Sequence, residues 1–358
     1  MNERILIRTL TDGGQAAVDV AREVAAFVDV ATDTLDVAQY DFNLGAETAD
    51  VVGGALRRAA ARGVRIRFAY DVDHANPIPV PPPPEPDAQL IASLPVESKP
   101  IAGVPDLMHQ KYAVRDGRDV WTGSANWTDD SWSRQENVVV VVSDPGIAKA
   151  FELDFEQLWS TGDVARSGLV EPREVAGVRP WFTPGNGEEL SARVAKLLRR
   201  ARRRIRICSP VITEGTVLGA LAQAVADGRV DVAGCVDATQ VREVIGQWSV
   251  NGNLSWKLPL LERVLAGAFS GKASTPYGEG TVHDFMHAKV CVCDDVALVG
   301  SFNLSRSGET NAENVLEIRD GTIADRLAQF VDEVRARYPR AVTTPPSAPA
   351  RRAAAAST

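Results

Sequence analysis

The chain has 358 residues, enough for two domains of ordinary size. Apolar residues make up 45% of it and charged residues 24%, so a wholly disordered, collagen-like or coiled-coil chain is excluded. Lys and Arg number 39 against 47 Asp and Glu, and the formal charge is -8. This charge argues mildly against a protein that wraps duplex nucleic acid, because such proteins neutralise phosphates with a basic surplus, although a local basic groove remains compatible with it.

The sequence carries no recognisable targeting or membrane-insertion signal. The N-terminal stretch lacks a basic region that leads into an unbroken apolar core, and no window of 18 apolar residues occurs. Four cysteines in a chain of this length do not form a disulfide scaffold. We therefore expect a soluble, cytoplasmic protein without a transmembrane segment.

The elements predicted in chain order occur twice, as alternating amphipathic helices and short apolar strands. In the first half they cover residues 15–30 (helix), 35–42 (strand), 51–71 (helix, glycine stop and strand), 138–143 (strand) and 147–159 (helix). The second half repeats this order over residues 188–200 (helix), 204–212 (strand), 217–237 (helix, glycine stop and strand), 315–318 (strand) and 323–338 (helix).

This repeat predicts an α/β fold of two similar halves, each with a mixed central sheet. We expect a first domain over residues 1–170 and a second over residues 180–340. The proline-rich residues 77–87 predict an extended loop of polyproline type, whose role the sequence leaves open. The low-complexity tail at 341–358 is expected to be disordered.

One motif in each half carries residues with chemical function. The pattern H-x-K-x4-D occurs as His109, Lys111 and Asp116, and again as His287, Lys289 and Asp294. Alternate side chains of a strand share a face, so each copy places an imidazole beside a fixed positive charge. Two copies that face each other would supply two imidazoles to one phosphate-sized anion.

Each motif is followed by the pattern G-S-x-N and then by a glutamate. These polar residues are Ser124, Asn126 and Glu136 in the first half, and Ser301, Asn303 and Glu313 in the second. Serine and asparagine supply neutral donors for an anion. A carboxylate such as Glu136 can accept the second ring N–H of its histidine and fix the tautomer. The glutamate follows the histidine by 27 residues in the first half and by 26 in the second.

Two histidines on opposite sides of a phosphodiester permit a displacement in two steps. A neutral histidine attacks phosphorus while the second, protonated histidine gives a proton to the leaving oxygen. Water or an alcohol then attacks the phosphohistidine, with the second histidine as base. Lysines and asparagines of the motifs would hold the equatorial oxygens, so this chemistry needs no metal and no cofactor.

Both motifs are complete at every defining position and resemble the two HKD motifs of the phospholipase D superfamily, over almost the whole chain. The resemblance implies two α/β/α halves related by a pseudo-two-fold axis, with the active site at their interface. It implies His109 as the nucleophile and His287 as the general acid and base. The motif aspartates match mainly structural positions in that superfamily, and the glutamates match the acid that orients each histidine.

The predicted site therefore comprises two overlapping sets of residues. The catalytic set is His109, Lys111, Asp116, Glu136, His287, Lys289, Asp294 and Glu313. The phosphate-binding set is Lys111, Ser124, Asn126, Lys289, Ser301 and Asn303. The segment from Asp116 to Gly123 is one residue longer than its counterpart in the second half, which indicates a longer turn after Asp116. No metal site is expected, and two motifs in one chain make an oligomer unnecessary.

The motifs define a phosphodiesterase but leave its substrate open. We favour hydrolysis of a phospholipid head group, because the chain is acidic and residues 238–284 form a long aromatic-bearing segment suited to a membrane surface. A metal-independent endonuclease is the alternative, favoured by short loops around the motifs and an arginine-rich run at 199–206. Trp127 and Trp132 either line the groove of such a nuclease or pack in the core, and the sequence leaves both open. A phosphatidyltransferase is less favoured, because such synthases usually bring membrane-spanning helices.

Overall fold

The computed structural model describes residues 4–73, 84–278 and 280–341. Within these residues the strands form two mixed sheets of seven strands each, one in each half, and one two-stranded sheet. The predicted fold class, α/β with two similar halves, is confirmed. The first part of the predicted proline-rich loop, and the predicted disordered tail beyond residue 341, lie outside the described residues.

The strands are short, and most of their residues are buried. Those of the first half are β1 (Ile5–Leu10), β2 (Thr34–Gln39), β3 (Phe42–Asn43), β4 (Arg65–Val72), β5 (Glu97–Ala102), β6 (Lys111–Arg115), β7 (Asp119–Gly123), β8 (Trp127–Thr128) and β9 (Asn137–Ser143). Those of the second half are β10 (Val178–Thr183), β11 (Arg204–Cys208), β12 (Asp231–Asp237), β13 (Ala268–Lys272), β14 (Val290–Cys293), β15 (Val296–Gly300) and β16 (Glu313–Arg319).

The helices alternate with the strands, as the periodicity predicts. In the first half they are α1 (Ala17–Asp29), α2 (Ala46–Ala61), α3 (Ala88–Ser93), α4 (Asp129–Ser133) and α5 (Pro145–Thr161). In the second half they are α6 (Gly187–Arg200), α7 (Gly215–Asp227), α8 (Ala238–Val250), α9 (Leu258–Ala266), α10 (Arg306–Thr310) and α11 (Gly321–Arg337).

The two large sheets have the same strand order. It is β1-β9-β7-β6-β2-β4-β5 in the first half and β10-β16-β15-β14-β11-β12-β13 in the second. In each sheet three neighbouring strands are parallel and the remainder are antiparallel. The edge strands β1 and β10 were not predicted from the sequence, and they extend each sheet by pairing with the strand that precedes the closing helix. Equal strand order supports the pseudo-two-fold relation of the halves.

The closing helices α5 and α11 begin in the same way and share one core. Asp144 caps α5 by accepting from the N–H groups of Gly146 and Ile147, and Asp320 caps α11 with the equivalent bonds. Both helices bury apolar faces in a single cluster that draws residues from both halves. Phe151 of α5, for example, meets Phe182 of β10 edge to face, with 4.9 Å between ring centroids. This shared core fixes the position of one half against the other.

The motif aspartates lie in the turns at the far ends of β6 and β14, away from the histidines. Asp116 accepts hydrogen bonds from the backbone N–H groups of three consecutive residues that lead into β2. Asp294 does the same for the three residues that lead into β11. The inclusion of these aspartates in the catalytic set is therefore wrong, because their carboxylates are used to hold strand starts. Three residues form the turn at Asp116 and two the turn at Asp294, so the longer turn is confirmed.

Replacement of Asp294 by Asn tests this structural role. Burial alone would raise the pKa of the Asp294 carboxyl, but the backbone N–H groups of residues 202–204 outweigh it and lower the pKa. We expect Asp294→Asn to reduce the free energy of unfolding by about 1–3 kcal/mol at neutral pH, because one N–H then faces an amide group instead of an oxygen. A lowered native pKa stabilises the fold above the unfolded pKa of about 3.9, and this contribution is lost as the pH falls through the native value.

Urea titrations of the wild type and Asp294→Asn at several pH values measure this difference, which should shrink in acid. The neighbouring Asp295 is an exposed residue paired with Arg203 and serves as the control. Asp295→Asn should change the free energy of unfolding by no more than about 0.5 kcal/mol. Equal losses for the two variants would contradict the assigned role of Asp294.

Candidate active site

The two motif histidines line one cavity at the interface of the halves. The cavity has a volume of about 430 Å³, and its walls include His109 and Asn126 from the first half and His287 and Asn303 from the second. The structure thus brings together the residues on which the predicted chemistry depends, although they are far apart in the chain. The cavity is larger than a phosphate group, and its lining includes apolar side chains such as Val244 and Trp248.

The backbone of each histidine is bonded to the opposite half. The N–H of His109 donates to the carbonyl of Ala312 at 2.9 Å, beside a parallel bridge between Met108 and Ala312. The N–H of His287 donates to the carbonyl of Glu136 at 3.2 Å, beside a parallel bridge between Met286 and Glu136. Neither histidine can therefore take up its position unless both halves are folded and docked.

The ring of His109 is oriented by Glu313 of the second half, so the prediction that each histidine is oriented by the glutamate of its own half is wrong. Its Nδ1 lies 2.8 Å and 2.9 Å from the two oxygens of Glu313, and the ring of Tyr40 packs against it with 4.6 Å between centroids. Burial raises the pKa of Glu313 to about 8, against the opposing effect of the nearby Lys111. A phosphoryl group on the imidazole would place positive charge beside Glu313 and favour its ionised form.

The ring of His287 is oriented by an amide instead. Its Nδ1 lies 3.1 Å from Oδ1 of Asn137. The orientation of this amide follows from its other bonds, since Nδ2 donates to the Ser131 carbonyl at 3.0 Å and Oδ1 accepts from the Ser124 hydroxyl at 2.7 Å. Oδ1 can only accept, so Nδ1 of His287 carries the proton that forms the bond.

Asn137, and not Glu136, occupies the structural position of Glu313. The glycine of G-S-x-N pairs with the residue two positions after Glu313 in the second sheet, and with the residue two positions after Asn137 in the first. The match of the two glutamates in the sequence is therefore offset by one residue. A shift of one residue turns a strand side chain to the opposite face. The prediction that Glu136 orients a histidine is wrong for this reason.

The Glu136 carboxylate is fully buried in a polar contact away from the histidines. It accepts from Lys272 Nζ at 3.0 Å, from the hydroxyl of Tyr338 and from the backbone N–H of Asp12. Lys272 also lies 3.1 Å from the Asp12 carboxylate and donates to the carbonyl of Arg134. Glu136 thus joins the end of β13 and the end of α11 to the first half.

His287 lies in an environment that disfavours its charged form. Burial lowers its pKa well below the ordinary value of histidine, and the neighbouring charges of Lys289, Lys111, His109 and His283 lower it further. The ring is therefore neutral at pH 7 in the unliganded protein. An anion bound in the cavity would offset these positive charges and raise the pKa.

The two motif lysines have equivalent positions. Lys111 Nζ donates to the carbonyl of His109 at 2.7 Å, and Lys289 Nζ donates to the carbonyl of His287 at 2.7 Å. Burial lowers the pKa of Lys111 to about 7 and that of Lys289 well below its ordinary value, with Glu313 opposing both shifts. When both lysines and Glu313 are charged, the two ammonium groups and one carboxylate carry a net positive charge, which a phosphodiester anion would balance.

The predicted phosphate-binding residues separate into two groups. Asn126 and Asn303 line the cavity, and the buried Oδ1 atom of each has no hydrogen-bond partner in the described residues. An Oδ1 atom only accepts, so it needs a donor such as water, and the Nδ2 group of the same amide is the donor that could meet a phosphate oxygen. Ser124 and Ser301 are fully buried, and their hydroxyls accept the N–H groups of Val138 and Asn314. The prediction that these serines bind phosphate is therefore wrong.

Two buried aspartates that the sequence analysis did not assign also position the motifs. Asp71 is the next-to-last residue of β4 and accepts from the N–H of Met108 at 2.7 Å. Asp237 ends β12 and accepts from the N–H of Met286 at 3.1 Å. Each bond fixes the residue just before a motif histidine. The sequence did contain a sign of their importance, because the two aligned repeats, residues 51–71 and 217–237, both end in an aspartate.

His283, which lies outside both motifs four residues before His287, also lines the cavity. It is buried, its ring packs against Phe285 with 3.9 Å between centroids, and burial lowers its pKa to about 4. Apolar residues from the second half form the adjacent wall. They are Val211, Val244, Trp248, Leu254 and Phe285. The cavity therefore has a polar floor and one apolar side.

Comparison with known proteins identifies the family. The family model described as "Cardiolipin synthase, PLD-like domain" matches residues 24–159 and again residues 194–335. The chain therefore belongs to this family of the phospholipase D superfamily.

Among curated proteins, the chain is similar to mitochondrial cardiolipin hydrolases. It is 29% identical to that of Chlamydomonas reinhardtii over 133 residues, which are 37% of this chain and 54% of that protein. It is 34% identical to that of Xenopus tropicalis over 114 residues, which are 32% of this chain and 51% of that protein. The chain thus spans about half the length of these relatives.

Solved structures show the same fold at low sequence identity. Phosphatidylserine synthase of Haemophilus influenzae aligns with a TM-score of 0.64 and 14% identity, over 94% of this chain and 86% of that one. Polyphosphate kinase of Porphyromonas gingivalis aligns with a TM-score of 0.60 and 11% identity, over 94% of this chain and 47% of that one. At these identities the likeness concerns the fold alone.

Phosphate binding distinguishes the asparagines from the serines. We expect Asn126→Ala to weaken the affinity for inorganic phosphate about tenfold, the loss of one hydrogen bond of about 1.4 kcal/mol. Ser124→Ala should instead lower the melting temperature and change the affinity less than about threefold, because its hydroxyl serves the N–H of Val138. Calorimetric titration and thermal melts measure both effects. An affinity loss in Ser124→Ala as large as that in Asn126→Ala would refute the separation.

Proposed function

We propose that this protein hydrolyses the head-group phosphodiester of phospholipids through a covalent phosphohistidine intermediate. The observation that carries the proposal is the placement of His109 and His287 on one cavity, each with Nδ1 anchored by a partner. Because Nδ1 of each ring is engaged, we assign the chemistry at phosphorus to the second nitrogen, Nε2, in both rings.

In the first step, Nε2 of His109 attacks phosphorus and forms an N–P bond. The bond from phosphorus to the leaving oxygen breaks, and that oxygen takes a proton from Nε2 of His287. Glu313 compensates the positive charge that the phosphorylated imidazole of His109 acquires. The products of this step are the released alcohol, a phosphohistidine and a neutral His287.

In the second step, water replaces the histidine on phosphorus. His287 takes a proton from the water, the water oxygen bonds to phosphorus, and the N–P bond to His109 breaks. Lys111 and Lys289 stabilise the negative equatorial oxygens in both steps, so a divalent metal is not required by this mechanism. His109 and His287 return to their initial protonation states.

A lipid substrate is favoured by the apolar side of the cavity. Trp248 of α8 and Leu254 beyond it form part of this wall, and Val250 and Trp256 nearby are exposed. These residues belong to the long segment of the second half that the sequence analysis associated with a membrane surface. The curated relatives are named as hydrolases of cardiolipin, a phospholipid. In the described residues, no helix has the length and apolar character required to cross a bilayer.

A nucleic-acid substrate is the second candidate, and a groove lined by arginines favours it. Arg199, Arg200, Arg202 and Arg229 border an open surface groove, but this groove shares no lining residue with the cavity of the histidines. Trp127 and Trp132, considered as groove residues for nucleic acid, are buried in the core of the first half. Stacking of bases on them would require that core to open.

A phosphatidyltransferase would use the same intermediate with an alcohol in place of water. The family description includes cardiolipin synthase, which supports keeping this reaction as a third candidate. An acceptor alcohol would need to enter the cavity beside His287 and exclude water from it. Product analysis in the presence of glycerol or phosphatidylglycerol separates transfer from hydrolysis.

The roles of the two histidines can be separated with a 4-nitrophenyl phosphodiester, whose leaving group needs no proton. We expect His287→Ala to release about one equivalent of nitrophenolate, to retain phosphate on His109, and to turn over at least about 10³-fold more slowly than the wild type. His109→Ala should give neither burst nor label. Rapid-quench kinetics and mass spectrometry of the labelled peptide measure these outcomes. Label on His287 in the wild type would reverse the assignment.

Substrate class and metal dependence can be tested in one paired assay with EDTA. Purified protein is incubated with vesicles of phosphatidylglycerol and cardiolipin, and separately with single- and double-stranded DNA. We expect phosphatidic acid to appear, DNA to stay intact, and chelation to leave the rate within about twofold. Cleaved DNA with unchanged lipid would favour the endonuclease. A rate lost in EDTA and restored by a divalent cation would contradict the metal-independent mechanism.

A further inference from the structure

The surroundings of the two motif histidines, here called the two half-sites, are unequal. The sequence match of the two glutamates is offset by one residue from the structural match, so one histidine meets a different type of partner. His109 faces the carboxylate of Glu313, whereas His287 faces the amide of Asn137 at the equivalent position. Glu136, which matches Glu313 in the sequence, is bonded instead to Lys272 and Tyr338. Two complete HKD motifs therefore do not produce two equivalent histidines.

We propose that this difference of partner assigns the chemical roles: Glu313 positions His109 as the covalent nucleophile, and Asn137 positions His287 as the proton donor and acceptor. Lys272 and Tyr338 maintain the assignment by holding Glu136 away from His287. The inference rests on the proposed phosphodiesterase function and concerns the same site. Glu313, Asn137, Lys272 and Tyr338 act here as positioning residues.

The first argument concerns the charge of the intermediate. An imidazole that is phosphorylated at Nε2 and still carries hydrogen on Nδ1 is a cation. A carboxylate 2.8 Å from Nδ1 stabilises this cation in a buried site far more than an amide oxygen does. Of the two histidines, only His109 has that partner within the described residues. The covalent intermediate is therefore more stable on His109.

The second argument concerns proton transfer. A general acid must release its proton to the leaving oxygen and regain one from water in each cycle. A carboxylate beside His287 would stabilise the imidazolium and make it a weaker acid, whereas the neutral Asn137 avoids this effect. The surrounding positive groups, Lys289, Lys111, His109 and His283, act in the same direction, and the bound phosphodiester anion opposes them.

The third argument concerns how Glu136 is kept in place. Its carboxylate is fully buried, so it would lose ion pairing and hydrogen bonds with Lys272 and Tyr338 if it turned toward the cavity. Lys272 would keep only Asp12 as a charged partner. Breaking a buried pair in this way is strongly unfavourable. The offset is therefore a stable property of the fold.

A matched pair of variants tests the proposal in the unliganded protein, without any substrate. The chain has four histidines, so their ring nitrogens can be followed individually by ¹⁵N NMR as the pH is varied. We expect Glu313→Gln to change the Nδ1 resonance and the pKa of His109. Glu136→Gln, at the matching position in the sequence, should move the pKa of His287 by less than about 0.5 unit and leave its Nδ1-protonated tautomer unchanged.

Asn137→Asp is the complementary variant, since it restores a carboxylate beside His287. We expect it to raise the pKa of His287 by more than about one unit. If this variant does not fold, the comparison of Glu136→Gln with Glu313→Gln still decides the question. A shift of the His287 pKa by a full unit in Glu136→Gln would overturn the proposal, because it would identify Glu136 as the partner of His287.

The same variants distinguish failure of this inference from failure of the proposed function. With the 4-nitrophenyl phosphodiester, Glu313→Gln should lower kcat about 10²-fold or more and reduce the phosphoenzyme burst, whereas Glu136→Gln should lower kcat less than about fivefold. Equal losses of kcat in two well-folded variants would overturn the inference. A wild type that cleaves no phosphodiester would refute the proposed function, and the NMR comparison would still decide whether the half-sites are unequal.

Discussion

Each motif histidine is held in place by hydrogen bonds to the opposite half of the molecule, and the site forms only when both halves supply these bonds. The backbone N–H of His109 donates to Ala312, that of His287 donates to Glu136, and the ring of His109 reaches Glu313. The shared core of α5 and α11 provides the apolar contact that makes these polar bonds possible. Docking of the halves and assembly of the site are therefore one event.

The same interface concentrates charge where water is excluded. Lys111, Lys289 and Glu313 are all buried, and the pKa of each is displaced toward its neutral form. Under the proposed function, a bound phosphodiester anion would restore the charged forms of both lysines. Asp71 and Asp237 hold the backbone just before the two motif histidines.

Much of the fold and of the site could be predicted from the sequence. Internal repetition predicted two similar α/β halves, and the spacing of His109, Lys111, His287 and Lys289 predicted one cavity with two imidazoles. The edge strands β1 and β10 were missed, because they lie outside the repeated elements found in the sequence and pair with strands far away in the chain. The serines were assigned to phosphate, because a hydroxyl beside an asparagine in a motif does not reveal which of them faces a cavity.

What the sequence by itself determined is the set of chemical groups: two histidines, two lysines and two asparagines, in two copies of one chain pattern. What only the tertiary structure decided is which partner each histidine meets. Two glutamates at nearly equal spacing look equivalent in the sequence. In the strand pairing, however, the residue equivalent to Glu313 is Asn137, one position after Glu136. A strand turns alternate side chains to opposite faces, so this single step places Asn137 at His287 and sends Glu136 to Lys272. Register depends on contacts between distant strands, and local sequence does not encode it.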